Sequence, residues 1–311
     1  MMKNLKSMIL AKSNFLGLIL GIIPGAMICL VGSPAHAASI KIAQFNTWGV
    51  PLVVKDTFRY WEAMEALELR DPDVIFLQEV FSRKGRGAFH SDRYPYEVRG
   101  PRAFPKPVSS GVRILSKFPV IHSAQVSFCD CTAADCFSKK GAVIAVLELP
   151  GGEHLNVVST HLDAGAKDSV RISQMKQIKL LIDTYADPQA PMVFSGDFNF
   201  NDRSEGYEKM MELFQANDTW LATHDSTEPG YTYDAYENRY AREYSIQNHE
   251  PLMKDRIDFV LYRSGRSLSL TPVRSEILFR SEPLYSDHYG IEAEYDLTPV
   301  TRSASVPVFS E

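Results

Sequence analysis

Asp197 and Asn199 stand two residues apart at the end of a short apolar run, within Pro191–Asn201 (PMVFSGDFNFN). A run of this length bounded by Pro and Gly reads as a strand buried on both faces. Residues i and i+2 of a strand point to one side, so both side chains are expected to project together where the backbone leaves the core. A carboxylate beside an amide can hold one oxygen of a phosphate and protonate another. Gly, Asp and Asn are also ordinary turn formers, so this stretch alone does not separate catalysis from a turn. Recurrence does. Asn46 closes the segment Ile40–Asn46, Glu79 follows Val74–Leu77, His161 follows Val157–Thr160, and Asp287-His288 precedes the last strand. Polar groups at the ends of separate strands converge at one edge of a sheet stack.

Asp258 lies inside an apolar strand, in Arg256-Ile257-Asp258-Phe259-Val260. A carboxylate in that setting is expected to be buried and to need a partner. A histidine suits, because Asp fixes its tautomer and favours its protonated form during turnover. Arg256 and Arg263 are the competing partners.

The elements that must position these groups follow from periodicity. Asp56 is expected to cap a helix from Thr57 to Arg70, with Trp61, Met64 and Leu67 on one face. Val74–Leu77, Gly111–Leu115, Val120–Phe128, Ala142–Leu149 and Leu155–Thr160 read as strands, separated early on by a polar loop from Phe81 to Pro107. Lys167–Tyr185 reads as an amphipathic helix with Val170, Met175, Ile178, Leu181 and Ile182 inside, and a second helix is expected near Ser204–Gln215. Thr223–Lys254 reads as loop, and Ile257–Tyr262, Leu268–Phe279 and Tyr289–Leu297 as the last strands. Many strands, few helices and no strict βαβ alternation predict an α/β fold of two stacked sheets with helices outside.

Lys3, Lys6 and Lys12 precede an apolar run from Phe15 to Val31, followed by Pro34-Ala35-His36-Ala37. This is the pattern of an export signal cleaved between Ala37 and Ala38, directing the chain to the periplasm or beyond. No later segment is apolar enough to span a bilayer. The expected organisation is a signal over 1–37, one catalytic domain over 38–298 and a loosely ordered tail over 299–311. Removing the signal leaves 30 basic residues against 38 acidic ones, a balance of −8 that argues against a long polyanion as the main substrate. Three cysteines remain, Cys129, Cys131 and Cys136. In an exported chain they predict one disulfide and one free thiol, with the pairing open.

Asn46, Gln78-Glu79, Thr160-His161, Gly196-Asp197-Phe198-Asn199, Arg256-Ile257-Asp258 and Ser286-Asp287-His288 resemble, in order, the motifs of the endonuclease/exonuclease/phosphatase superfamily. The resemblance spans residues 40–297. Within the superfamily the chain is similar to the neutral sphingomyelinases, through Phe45-Asn46-Thr47-Trp48-Gly49-Val50-Pro51 and Phe137-Ser138-Lys139-Lys140-Gly141. The resemblance implies a DNase I-like four-layer α/β/β/α sandwich and a phosphodiesterase releasing ceramide and phosphocholine from sphingomyelin, acting as a monomer at membrane surfaces with no stable nucleic-acid partner. It assigns Glu79, Asn46 and Asp287 to a divalent ion, Mg²⁺ with Mn²⁺ or Co²⁺ as alternatives. It makes His288 the base, oriented by Asp258, and has Asn199 and His161 stabilise the charged phosphorus. Asp197 either orients the nucleophile or protonates the leaving alkoxide. Lys139 or Lys140 covers the headgroup, on a loop that a disulfide pins. A secreted nuclease or another phospholipid or phosphoinositide phosphoesterase shares nearly every catalytic residue, and a non-catalytic binding module ranks last. Secreted bacterial relatives carry a hydrophobic hairpin before Ser-Asp-His. Here Leu278 and Phe279 are the expected apolar tip, and Phe81 to Phe104 is another candidate membrane surface.

Overall fold

A computed structural model describes residues 38–300 apart from 52, 55 and 166. The expected signal over 1–37 and most of the expected tail lie outside the described residues. One six-stranded sheet runs β13-β14-β1-β2-β4-β3, formed by Leu268–Leu278, Gly290–Pro299, Ala38–Asn46, Val74–Gln78, Arg113–Ser116 and Tyr96–Arg99. The second runs β5-β6-β7-β8-β12-β9, formed by Val120–Ser127, Gly141–Glu148, His154–His161, Met192–Asp197, Asp258–Arg263 and Asn217–Asp218. Two short strands, β10 (Tyr233–Asp234) and β11 (Lys254–Asp255), pair with each other. The helices are α1 (Arg59–Arg70), α2 (Arg83–Ala88), α3 (Asp168–Tyr185), α4 (Glu205–Phe214), α5 (Thr219–Thr223) and α6 (Arg239–Gln247). These are the two stacked sheets with helices outside that the strand pattern predicts, in the DNase I-like sandwich that the resemblance implies.

Strand alternation builds the layers. In β1, Ile40 and Ile42 join Val74 and Phe76 of β2, Val157 of β7, Val193 of β8 and Val260 of β12 in one apolar layer between the sheets. The alternate residues Ala43, Phe45, Ile75 and Leu77 turn outward onto Tyr60, Met64 and Leu67 of α1. On the far side Ile144, Val158, Phe194 and Phe259 meet Met175 and Ile178 of α3 and Phe214 of α4. Each sheet is therefore apolar on both faces, as a covered sheet requires. Continuing the inner-face positions along the strands replaces apolar side chains by polar ones. Ile40 and Ile42 lead to Gln44 and Asn46, Val74 and Phe76 to Gln78, Val157 to Ser159 and His161, and Val193 to Ser195 and Asp197. One open edge of the inter-sheet core is thus polar.

The structure corrects several expectations. Trp61 is 45% exposed, and the buried face of α1 is Tyr60, Ala63, Met64 and Leu67. Residues 61, 64 and 67 drift around a helix of 3.6 residues per turn, so Trp61 falls outside the stripe. Asp56 accepts from the Phe58 amide before the helix starts and does not cap it. The span from Phe81 to Pro107 contains α2 and β3, and Thr223–Lys254 contains β10 and α6. Ser82 caps α2 and Asn238 caps α6. Both helices bury only small residues, which leaves no apolar period to read. Leu278 is buried, and Phe279 packs edge-on against Phe45 and Tyr285, so the expected apolar tip is folded inward.

Phe194 is 1% exposed and stacks on Phe214 with ring centroids 5.1 Å apart. Phe194→Ala is expected to lower unfolding free energy by about 3–5 kcal/mol, read by urea denaturation. Trp61→Ala should stay within about 0.5 kcal/mol.

Candidate active site

The polar edge is held in register by the sheets. β1 and β2 run parallel with Asn46 opposite Gln78, placing Glu79 just beyond the strand. In the second sheet His161 lies opposite Asp197, and Asp197 opposite Asp258. The two sheets then bring these rows face to face around a cleft of about 350 Å³ lined by Glu79, Lys140, His161, Asp197, Asn199, Asp287 and His288. Trp48, Glu79 and Asn199 have positive φ values of 47°, 59° and 55°. Left-handed backbone costs a non-glycine residue about 1 kcal/mol, and such strain gathers where side chains must be re-aimed. Gly49 allows the turn after Asn46 to close on Glu79, since a Cβ there would meet the Glu79 carbonyl oxygen at 1.9 Å.

His288 Nδ1 donates to Asp258 Oδ2 at 2.8 Å, and both residues are buried. That bond leaves Nε2 directed at Asp197 Oδ2, 3.8 Å away. Asp258 itself is fixed from behind. Its Oδ1 accepts from Gln44 Nε2 at 2.8 Å, and its backbone N–H donates to Thr232 Oγ1 at 3.1 Å. Arg256 turns instead to Asp218 and Asp202, and Arg263 to the Phe214 carbonyl. The histidine is therefore the partner of Asp258.

Asp197 is a hub. Its Oδ2 accepts from Asn46 Nδ2 at 2.9 Å and lies 3.4 Å from His161 Nε2, while Oδ1 accepts from the Asn199 amide at 3.0 Å. The Asn46 amide also reaches Glu79 Oε1 at 3.4 Å. Asn199 Nδ2 donates to the Leu162 carbonyl at 3.0 Å, keeping its side chain on the cleft wall. Of the lysine pair, only Lys140 enters the cleft. It donates to His161 Nε2 at 3.1 Å and pairs with Asp135 at 2.8 Å, whereas Lys139 donates to the Phe104 carbonyl at 2.8 Å on the outside. Because an ammonium only donates, His161 carries its own proton at Nδ1.

Burial sets the proton affinities. Burial, reinforced by Asp287, pushes the Glu79 carboxyl up to about 8 against the opposing pull of His288. Burial and then Asp258 hold Asp197 up at about 6. Asp287 is likewise raised by burial, offset by His288 and Arg59. Burial alone would lower His288, but Asp258 and Asp197 outweigh it and raise the imidazole well above its ordinary value. His161 is driven well below that value by burial, then by the Lys140 and His288 charges.

Glu79 Oε2 is buried without a hydrogen-bond partner, and the Asp287 carboxylate repels its neighbour. A hard divalent cation satisfies both conditions, and oxygen donors of this kind suit Mg²⁺. Asp197, Asp258 and His288 also offer atoms within 4.8 Å of one another. Asp258 there is committed to His288 and Gln44, and Asp197 to Asn46 and the Asn199 amide, so Glu79 with Asp287 is the better-fitting pair.

Sequence reasoning missed three positioning residues. Gln44 stands two residues before Asn46, on the same side of β1, which was the readable signal. Thr232 has no local signature. Arg59 bonds the carbonyls of Thr47, Trp48 and Tyr285, tying the turn after Asn46 to the segment before Ser286-Asp287-His288. The disulfide joins Cys131 to Cys136 and leaves Cys129 free and exposed. It closes the short 3₁₀ turn Ala133–Phe137 that carries Asp135 to Lys140.

A profile of the Endonuclease/Exonuclease/phosphatase family matches residues 43–288. The chain belongs to that family. It is a phosphodiesterase-type hydrolase of this superfamily, similar to proteins named phospholipase C and sphingomyelinase. The phospholipase C of Staphylococcus aureus is 24% identical over 94% of this chain and 99% of its own length. A sphingomyelinase of Mycobacterium tuberculosis is 28% identical, over 58% of this chain and 36% of its own. Among solved structures, beta toxin of Staphylococcus aureus with bound magnesium ions superposes with TM-score 0.65 at 21% identity, covering 83% of this chain and 100% of that one. D. rerio TDP2 complexed with a single-strand DNA product reaches 0.64 at 19% identity, covering 83% and 99%. These structural likenesses establish the shared family fold.

The opposite shifts of the two histidines are measurable. In a metal-free NMR titration His161 should stay neutral to lower pH than an ordinary imidazole, while His288 should stay charged to higher pH than one. Lys140→Met removes one of the charges that lower His161, so its pKa should move up toward the ordinary imidazole value. No movement would break the Lys140–His161 contact as described.

Proposed function

We propose that the protein is an exported, Mg²⁺-dependent phosphodiesterase that hydrolyses sphingomyelin to ceramide and phosphocholine. The observation that carries the chemistry is the buried Asp258–His288 pair, whose free Nε2 faces the cleft beside Glu79 and Asp287. Resemblance to relatives named sphingomyelinase and phospholipase C supports the substrate class. The pattern of residues 1–37 supports export, and Ala38 onward would be the working chain.

Glu79 and Asp287 would hold the ion, with Asn46 orienting Glu79. A bound Mg²⁺ supplies Lewis-acid polarisation of the phosphoryl group and neutralises charge that develops on it. In its neutral form His288 accepts the proton of the attacking water at Nε2. Asp258 keeps the other ring proton at Nδ1 and stabilises the imidazolium that forms. Asp197 Oδ2 and His288 Nε2 are close enough for one water lying off their axis to touch both. Asp197 thereby orients the nucleophile, and the leaving alkoxide takes its proton from water in the cleft. The Lys140 ammonium and Asn199 amide border the phosphoryl position and favour negative charge there.

Phosphocholine release from mixed sphingomyelin and phosphatidylcholine vesicles tests the reading. Release with Mg²⁺, none with EDTA, and a loss of about 10²–10⁴-fold in kcat for His288→Ala are expected. Plasmid DNA runs in parallel, and nicked DNA with intact lipid would transfer the site to the nuclease alternative.

Metal binding should also follow pH. With the Glu79 proton held up to about 8, Mg²⁺ must displace it. Apparent affinity is expected to fall about tenfold per pH unit below that value and to level off above it. Calorimetry in buffers of different ionisation heat should register one released proton near neutral pH. Glu79→Gln should abolish the dependence along with most of the affinity.

A further inference from the structure

One wall of the catalytic cleft takes no part in the hydrolytic steps. Trp48, Tyr233, Tyr244, Glu250, Pro251 and Met253 line it, three aromatic rings and a carboxylate among apolar neighbours. α6 holds this wall in place. The Asn238 side chain caps the helix by accepting from the Tyr240 and Ala241 amides, and its Nδ2 donates to the Ser286 carbonyl at 2.9 Å. The helix is thereby fastened to the segment that carries Asp287 and His288. Tyr240 and Tyr244 lie one turn apart on one helix face. Tyr240 packs on Trp48 with ring centroids 5.2 Å apart, and Tyr244 joins Trp48 in the cleft lining.

Two of the rings are already engaged. The Arg59 guanidinium covers Trp48 at 5.1 Å from its centroid, and Tyr233 stands edge-on to His288 at 5.3 Å. Among the described residues no cation covers Tyr244, and Glu250 forms no ion pair. Burial, then Glu250, then Asp287, Glu79 and Asp135 raise the Tyr244 phenol, so a neutral ring sits in a field of carboxylates. Asp135 is matched by Lys140, and Glu79 with Asp287 suits the divalent ion, which leaves Glu250 without a counter-charge. A ring face attracts positive charge without offering a hydrogen-bond acceptor, and a nearby carboxylate adds to that attraction. A primary ammonium would lose its hydrogen bonds to water against such a wall, whereas a quaternary one has none to lose. We infer, on the lipid-phosphodiesterase reading above, that this wall is the headgroup subsite. Tyr244 and Glu250 take the quaternary ammonium of a phosphodiester whose phosphate lies at Lys140 and Asn199, and they make the enzyme selective for a methylated amine.

The test compares hydrolysis of sphingomyelin and of ceramide phosphoethanolamine, which differ only in the N-methyl groups, in detergent micelles with Mg²⁺. The full protein should favour sphingomyelin. Tyr244→Leu should shrink that preference about tenfold, through KM more than kcat, and Glu250→Gln should shrink it in the same direction. Tyr244→Phe keeps the ring and should keep the preference. Glu243→Gln, an exposed acid of α6 outside the cleft lining, should leave it unchanged. Each variant is checked for unchanged Tm, and Glu250→Gln, at an exposed position, decides the matter if Tyr244→Leu is unstable. A second arm needs no turnover. Saturation-transfer NMR in EDTA should show tetramethylammonium bound to the full protein, with ammonium unable to displace it and Tyr244→Leu losing the signal. If neither lipid is cleaved but this binding and its loss are seen, the sphingomyelin reading falls and the cation subsite stands. If sphingomyelin is cleaved without preference over the ethanolamine lipid, the reading stands and the subsite falls. The subsite falls too if tetramethylammonium does not bind, or if Tyr244→Leu slows both lipids alike, which assigns the wall to the ceramide chains instead.

Discussion

Four carboxylates, Glu79, Asp197, Asp258 and Asp287, are sunk at one edge of the inter-sheet core, and the surrounding structure is arranged to make that tolerable. Desolvating a carboxylate costs several kcal/mol even after relaxation. Asp258 is compensated fully by His288 and Gln44, and Asp197 by Asn46 and the Asn199 amide. Glu79 is compensated least, since only one of its oxygens has a partner. The gradient follows depth in the sandwich. Groups nearest the apolar layer are closed by fixed dipoles, and those nearest solvent are left for a cation.

The same gradient explains how fixed proton positions arise from neighbouring groups. His161 and His288 share one cleft and both face Asp197, but His161 also meets an ammonium and His288 a second carboxylate. Their affinities are pushed in opposite directions without any difference in side-chain chemistry. Sites that separate like groups in this way can run donor and acceptor roles together at one pH.

Much of this was legible in the sequence, because the sheets themselves were. Period-two alternation and strand ends located Asn46, Glu79, His161, Asp197, Asn199, Asp258 and His288; five of them line the cleft, with Asn46 and Asp258 bonded to Asp197 and His288 behind it. The choice between Lys139 and Lys140 was not legible. Adjacent residues on an extended segment point to opposite sides, and register alone decides which enters. Gln44 was legible in principle, from its spacing to Asn46. Arg59 was not, because it acts on carbonyl oxygens, which every residue type possesses. α2 and α6 escaped because each is held by a cap and a few small residues.

Strand order carries a further consequence. β1 lies between β2, its near neighbour in sequence, and β14, the last strand described. Asn46 and His288, 242 positions apart, belong to one cleft wall system only after that pairing closes. Contacts of such separation form late, because loop-closure entropy must be met before they stabilise anything. A chain that has folded its first sheet pairings but not docked its last strand holds Glu79 without Asp287 and Asp258 without His288. The cleft as described is therefore complete only when the last strand has docked against β1.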